Sequence, residues 1–362
     1  MKIWFTLIVV FLLTACSSSP VEKIEAPKPV SVALNYAVDG AQGLNVSILL
    51  FDTQDAVQVS RIYQPVRNAE AAYLPVSLRN TLNETGYWGA VSVVPTLDTA
   101  SEVFVTGRII ESNAVELAMQ FKVFDSRGVV WINREYRDYA LPESYELNIK
   151  ASEDPFQDLF NQLANDMSEF MLGMTSAEQN ALLDTAMLRY AILLSPEAFG
   201  DYLVENESGH LQLAGLPAYN DPLYNKVRII RGREFAIQDV VDDHFENFYA
   251  DMQRVYPFWR QSSYELLAYN NQLDVGNSRA SRQSWAEVER VYRLYKERKL
   301  NEDELRELAS SFEREIDPTV AELEGRVIEI QGSLLTQYVT WRRILREIYA
   351  QTTENTPLIQ TP

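Results

Sequence analysis

Cys16 is the only cysteine in the 362-residue chain, and it directly follows an apolar run. The thiolate is the strongest nucleophile among the side chains, so this residue is the first candidate for covalent chemistry. Lys2, the apolar residues 3–13 and the small pair Thr14-Ala15 form the pattern of a secretory signal and its cleavage point. The run is too short to cross a bilayer of about 30 Å as a helix. Residues 1–15 are therefore predicted to be a removable signal peptide.

The four residues Leu13-Thr14-Ala15-Cys16 resemble the lipobox of bacterial lipoproteins. The resemblance implies that the Cys16 thiol is alkylated with diacylglycerol, that the mature chain begins at Cys16 and that its new amine is acylated. Cys16 is followed by Ser17 and not by an aspartate. Similarity to the sorting rule of enterobacterial lipoproteins therefore implies that the protein lies at the periplasmic face of the outer membrane and not at the inner membrane. The alternative is an ordinary signal peptide with an incidental cysteine near its end.

Other chemistry has few candidates in this sequence. The chain has only two histidines, His210 and His244, and it contains no common hydrolase, metalloprotease or phosphate-binding motif. His244 stands among the acids of residues 242–246, but no metal-binding residue lies three or four positions from it on a helix. We therefore predict no metal, no cofactor and no catalytic residue. Two carboxylates far apart among the 51 acids could still act as a hydrolase pair, and this remains a third hypothesis.

A basic stretch interrupts a chain whose formal net charge is −19. An acidic chain of this kind is not expected to bind nucleic acid or anionic lipid through its overall electrostatic field. One interpretation of the stretch is a solvated helix face, with cations favoured near the helix C-terminus. The other is a contact for an acidic partner or a phosphate headgroup, made by Arg290, Arg293, Lys296, Arg298 and Lys299.

Aromatic residues crowd one region of the second half of the chain. Such density is typical of a core, but it can also line a groove for a peptide, a glycan or an acyl chain. The residues concerned are Tyr256, Phe258, Trp259, Tyr264 and Tyr269.

The elements that would position these residues begin with a Ser/Pro-rich tether at 16–30. Residues 31–173 are predicted to form an α+β domain, an antiparallel meander with two helices. Predicted strands lie at 44–51, 87–94, 102–110, 114–124 and 129–139, and predicted helices at 75–85 and 154–172.

Two motifs in this domain resemble a known fold. They are Leu78-x₃-Leu82-x₂-Thr85-Gly86-Tyr87 and Asp125-x₂-Gly128-x₂-Trp131. Residues 44–172 thereby resemble the auxiliary lipoproteins of lipid ABC transporters and the wider group with the amino-terminal domain fold of TolB. The resemblance implies that fold and a role near a transporter.

Residues 174–350 are predicted to form an all-α helical bundle, with a boundary near Gly173 and a loose tail at 351–362. Thr175 opens a capping box, Pro196 starts a short helix and 205–222 is loop-like. Later helices are predicted at 233–256, 284–299 and 301–316.

The last predicted helix, 318–349, carries a 3.5-residue seam. The preceding helices are predicted to pack against this seam. A partner protein or a second copy of the chain is the alternative. Eight of its nine seam positions are apolar, and Gln337 is the exception: Val320, Leu323, Val327, Ile330, Leu334, Gln337, Trp341, Ile344 and Ile348.

Together these features predict a lipid-anchored periplasmic binding protein, an adaptor in envelope assembly or transport. A lipid or glycan carrier associated with a transporter is the alternative. An envelope protein is the expected partner, in addition to the membrane that the lipid anchor would hold.

Overall fold

The computed structural model describes residues 31–37, 43–53, 64–97, 100–145, 154–276, 285–314, 318–323 and 326–354. Cys16, the predicted signal peptide, the whole predicted tether and the end of the predicted tail lie outside the described residues. A mixed sheet with its helices comes first, and a mainly helical half follows.

The first half contains five strands and two long helices. In chain order these are β1 (Val46–Leu49), α1 (Gln64–Thr85), β2 (Val91–Val94), β3 (Val103–Ser112), β4 (Glu116–Asp125), β5 (Val130–Tyr139) and α2 (Gln157–Leu172). The order of strands and helices is the predicted one.

The prediction of an antiparallel meander is wrong, because the sheet is mixed. Its strand order is β2-β1-β3-β4-β5, and β1 pairs in parallel with both β2 and β3. Only β3, β4 and β5 form an antiparallel meander. Helix α1 supplies the crossover that parallel neighbours need, and the continuous apolar run around β1 is typical of a buried parallel strand.

Helix α1 begins earlier than its predicted start at Pro75, which lies inside the helix. A proline lacks the N–H that would bond the carbonyl four residues earlier. That carbonyl, of Ala71, accepts instead from the backbone N–H of Phe51 at 3.0 Å. The contact between α1 and the end of β1 therefore makes the proline tolerable.

The two motifs behind the fold resemblance have structural roles. Leu78 and Leu82 are fully buried core residues. Asp125 is also fully buried, and its carboxylate accepts from the Trp131 indole at 3.0 Å and from the Arg127 guanidinium at 2.8 Å. Gly128 has a φ of 86°, which the tight turn between β4 and β5 requires.

The second half contains one very long helix. Its elements are α3 (Ser176–Leu194), α4 (Pro196–Phe199), β6 (Leu203–Glu205), β7 (Leu211–Leu213), α5 (Pro222–Gly276), α6 (Trp285–Glu313), β8 (Thr319–Leu323), β9 (Arg326–Ile330) and α7 (Leu334–Glu354). The capping box at Thr175 is confirmed. Part of the predicted loop at 205–222 is a β6–β7 hairpin, and the two helices predicted at 284–299 and 301–316 are one helix, because neither proline nor glycine interrupts them.

The prediction of a single helix over 318–349 is wrong. Residues 319–323 and 326–330 form the antiparallel strand pair β8–β9, and α7 begins at Leu334. The first four seam residues fit a strand as well as a helix, because short apolar patterns are ambiguous. Gly332, at a φ of 114°, separates the strand pair from the helix. Helix α7 also continues to Glu354, past the predicted start of the tail.

One continuous hydrophobic cluster joins the sheet, α1, α2 and the helices of the second half. Helix α5 packs on both β2 and α1, and α6 also packs on α1. Gly173 is the C-cap of α2, where the predicted boundary lies. Independent folding of the two halves stays a prediction.

Candidate functional site

The segment that leads from the predicted tether is fixed to the first turns of α2. The Val32 N–H donates to the Asp158 carboxylate at 3.0 Å, and the Val32 carbonyl accepts from the Asn161 amide at 2.8 Å. The Asn35 N–H donates to the Asn165 side chain at 2.8 Å. Asp154, which precedes α2, pairs with Arg260 of α5 at 3.2 Å. The described chain thus begins near Arg260, in the C-terminal half of α5.

The basic stretch lies on α6, and the structure divides it into two groups. Arg298 and Lys299 form ion pairs within the helix, with Glu302 and Asp303, at 3.4 Å each. The remaining three are exposed, and none has an ion pair within the part of the chain that the structure describes: Arg290, Arg293 and Lys296.

An exposed aromatic stripe runs along the same half of α6. Trp285 is 88% exposed, Tyr292 66%, Tyr295 53% and Val288 43%. These four residues follow one another at three- and four-residue intervals, so they share one side of the helix. We call this stripe the α6 face; with successive residues about 100° apart around the helix, Lys296 flanks the stripe and Arg290 lies on the opposite side.

Burial along α6 increases towards its second half. Further along α6, Leu305 and Ala309 are buried between α1 and α5. In the first half of α6, Leu294 and Leu300 border a groove of 310 Å³, and Phe258 of α5 lies on its opposite wall. The sequence analysis identified the cations of α6 but missed its aromatic stripe. The intervals of three, four and three residues between the stripe's members could have indicated that they share one side of a helix.

The most metal-like cluster in the sequence has another use. Asp242 and Glu246 both bind Arg79 of α1, and Asp242 also accepts from the Val93 N–H at 2.9 Å. His244 lies half-buried between them along α5. Within the described ranges there is no group of three histidine, cysteine or acidic residues that could hold a metal ion.

The crowded aromatic residues of α5 serve mainly as core. Tyr256, Trp259 and Tyr269 are buried, and Tyr264 stacks on Tyr145 at a centroid distance of 4.8 Å. Only Phe258 is well exposed, beside the α5–α6 groove.

A second open groove, of 440 Å³, lies between α2 and β5. Trp131 and Phe170 stack in its wall with centroids 4.9 Å apart. Arg134 and Asp166 form an ion pair across it. The groove therefore presents an aromatic surface beside paired polar groups.

Three carboxylates converge at the start of α2, and Asp138 is the most buried of them. Burial raises the pKa of Asp138 to about 6, and the nearby Asp158 and Asp154 add to the rise, while the Tyr139 amide opposes it. Asp158 and Asp154 are already engaged by Val32 and Arg260. The cluster therefore fastens the fold, and it does not form an open pair of acids.

Replacing Asp138 by Asn should make stability less dependent on pH. Between about pH 4 and pH 6 the folded protein keeps a proton that the unfolded chain releases, so the stability from Asp138 is lost as the pH rises through this window. Asp138→Asn should be more stable than the natural protein at pH 7.5, by about 2 kcal/mol, and equal to it near pH 4. Urea unfolding of both proteins at both pH values checks this. A difference in the free energy of unfolding that is the same at pH 4 and pH 7.5 would contradict it.

No helix in the described part of the chain combines the length and apolarity needed to cross a bilayer. No protein-family model matches the sequence, and no curated protein matches it. The resemblances to bacterial lipoproteins and to the TolB-like fold therefore stay predictions from short motifs.

Proposed function

We propose that this protein is a lipid-anchored binding protein at the periplasmic face of the outer membrane, acting as an adaptor in envelope assembly or transport. The observation that carries the proposal is the α6 face. It exposes three large aromatic rings and one valine in a single stripe, and a contiguous exposed apolar patch is typical of a contact surface.

The way the chain enters the fold supports the anchoring part of the proposal. The hydrogen bonds of Val32 and Asn35 to α2 would transmit a tether's pull to the folded body. The residues between Cys16 and Val32 reach at most about 50 Å when extended. The body would therefore stay close to the membrane and to partners there.

The Cys16→Ser variant tests the anchor. Without the thiol no diacylglycerol can be attached, so the protein should lose its lipid mass entirely and leave the membrane fraction or remain as uncleaved precursor. Intact-mass measurement and fractionation check this result. A mature chain that starts elsewhere and carries no lipid in the unmutated protein would contradict the anchor.

Photo-crosslinking tests the α6 face. A photoreactive residue in place of Tyr292 should give a discrete adduct in native envelopes. Tyr219, a loop tyrosine that is 90% exposed, is the matched control and should give none. Equal patterns from both positions would contradict a contact role for the α6 face.

A lipid or glycan carrier is the second candidate, and the groove between α2 and β5 favours it. Its aromatic wall of Trp131 and Phe170 suits a sugar ring or an acyl chain. In that case the same intact-mass measurement, made under native conditions, should show a retained ligand that Trp131→Ala removes.

A further inference from the structure

We infer that this protein forms a two-fold symmetric dimer in which β5 of one copy pairs antiparallel with β5 of a second copy. The two five-stranded sheets then become one continuous sheet of ten strands. The inference goes beyond the proposed function, because it concerns β5 and not the α6 face. It comes from the position of β5 in the sheet, the direction of its backbone groups and the order of its charges.

Strand β5 lies at the edge of the sheet. It pairs with β4 on one side, and no strand of the described residues pairs with its other side. It is ten residues long, and residues 133–135 and Arg137 are exposed. An exposed edge strand presents unpaired N–H and C=O groups that a second chain can bind. The opposite edge of the sheet differs, because α5 packs on β2 and Asp242 accepts from the Val93 N–H at 2.9 Å.

The backbone groups of β5 that face outward belong to its odd-numbered residues. The Ala140 N–H donates to the Val115 carbonyl at 2.9 Å, so residue 140 faces β4. Backbone groups alternate in direction along an antiparallel strand, so the even residues of 134–140 face β4 and the odd residues of 133–139 face outward. The Tyr139 N–H agrees with this, since it donates to the Asp138 side chain at 2.8 Å. A second strand must therefore align odd residues with odd residues.

The charges of β5 select one central register. In a two-fold symmetric pair, the residue on the axis lies opposite its own copy. Tyr136 is the only uncharged residue within 134–138. A register centred on any of its four charged neighbours therefore places two like charges opposite each other, which is destabilising.

The register centred on Tyr136 places opposite charges together. Glu135 lies opposite Arg137 of the second copy, and Arg137 lies opposite its Glu135. On the other face of the sheet, Arg134 lies opposite Asp138 of the second copy. Opposite charges across a strand pair are stabilising. The strand thus matches a second copy of itself, which a peptide of unrelated sequence would not do.

The charges of the edge are already part of a network within one chain. Arg137 pairs with both Glu116 and Glu135, and Arg134 pairs with Asp166. An arginine has five N–H donors, so it can keep these partners and add a carboxylate from a second copy. The dimer therefore extends the existing network.

Exposed apolar residues at the two ends of β5 also meet in this register. Val130 and Leu141 are 43% and 46% exposed. Centring on Tyr136 brings Leu141 of the second copy to the end of β5 where Trp131 and Ile132 border the groove between α2 and β5. Symmetry repeats the contact at the other end, so both copies remove apolar surface from water.

Two single charge reversals test the pairing. In a dimer of the Glu135→Arg variant, both cross-strand pairs between positions 135 and 137 join two arginines, and in a dimer of Arg137→Glu they join two glutamates. Each variant alone should raise the dissociation constant of the dimer about tenfold or more, because two attractive pairs become repulsive. Native mass spectrometry of the purified full-length protein in detergent, over a range of concentrations, measures the constant.

Mixing the two variants separates pairing from misfolding. A Glu135→Arg chain beside an Arg137→Glu chain has opposite charges at both pairs, so the mixture should form a one-to-one heterodimer with close to the natural dissociation constant. Such recovery also shows that each variant is folded. Glu347→Arg, an exposed reversal on α7 with the same change of net charge as Glu135→Arg, is the control and should remain dimeric.

Three results would overturn the inference. A natural protein that is monomeric at every concentration tested has no such dimer. Single variants that dimerise as tightly as the natural protein place the interface elsewhere. A mixture that gives no heterodimer contradicts the register centred on Tyr136. None of these results depends on the lipid anchor or on the α6 face, so the proposed function is tested separately.

Discussion

Replacing Glu70 by Gln is expected to lower the free energy of unfolding by about 3 kcal/mol, because it removes one charge from a buried network and keeps the side-chain shape. Glu70 is fully buried on α1. Its carboxylate accepts from the Ser112 hydroxyl at 2.7 Å and from the Tyr256 phenol, and it pairs with Arg67 at 3.2 Å.

The same network joins α1 to α5. Arg260 donates to the Tyr256 hydroxyl at 2.6 Å, and its guanidinium lies 4.4 Å from the centre of the Tyr256 ring and 4.5 Å from that of Phe156. The network contains two cations, Arg67 and Arg260, and two anions, Glu70 and Asp154. Loss of the Glu70 charge leaves two buried guanidinium groups facing one carboxylate, and water cannot reach them easily to compensate.

Urea unfolding of the purified protein measures this effect. Glu84→Gln is the matched control, because Glu84 lies on the exposed side of the same helix and accepts from the Tyr36 phenol at 3.1 Å. The control should change stability by less than about 0.5 kcal/mol. A change equally small for Glu70→Gln would mean that the network does not hold a charged Glu70.

The features that the sequence predicted well are local ones. The capping box of α3 needs only residues that are three apart, and both of its hydrogen bonds form between Thr175 and Glu178. The strands β3, β4 and β5 were predicted within two residues of their ends, because alternation and the turn at Gly128 both lie within the segment. In each case the physical cause is contained in the pattern itself.

Long-range contacts explain the errors. The parallel pairing of β1 with β3 depends on residues more than fifty positions apart, and the extension of α1 through Pro75 depends on the Phe51 N–H. The α6 face is a similar case. Helical spacing marks its stripe, but the exposure of Trp285 and Tyr292 follows from where α1 and α5 lie. The cations were predictable from the sequence, and the exposure of the stripe was not.

The order of two substitutions in α7 distinguishes the structure from the predicted heptad seam. The seam over 318–349 includes Ile344 and leaves Leu345 outside. In the structure Leu345 is fully buried and Ile344 is half-buried. The buried stripe of α7 is Leu334, Tyr338, Trp341, Leu345 and Tyr349.

Leu345→Ala is therefore expected to lower the free energy of unfolding by about 2–5 kcal/mol, and Ile344→Ala by about 1 kcal/mol. The larger value follows from the cavity that the loss of the Leu345 side chain leaves where α7 packs on α5. At the polar edge of this contact, Arg342 and Glu234 form an ion pair at 3.0 Å. Urea unfolding of both variants provides the comparison, with Val339→Ala, on the exposed side of α7, as the control. The reverse order, with Ile344 the more costly loss, would restore the heptad register and contradict the packing of α7 described here.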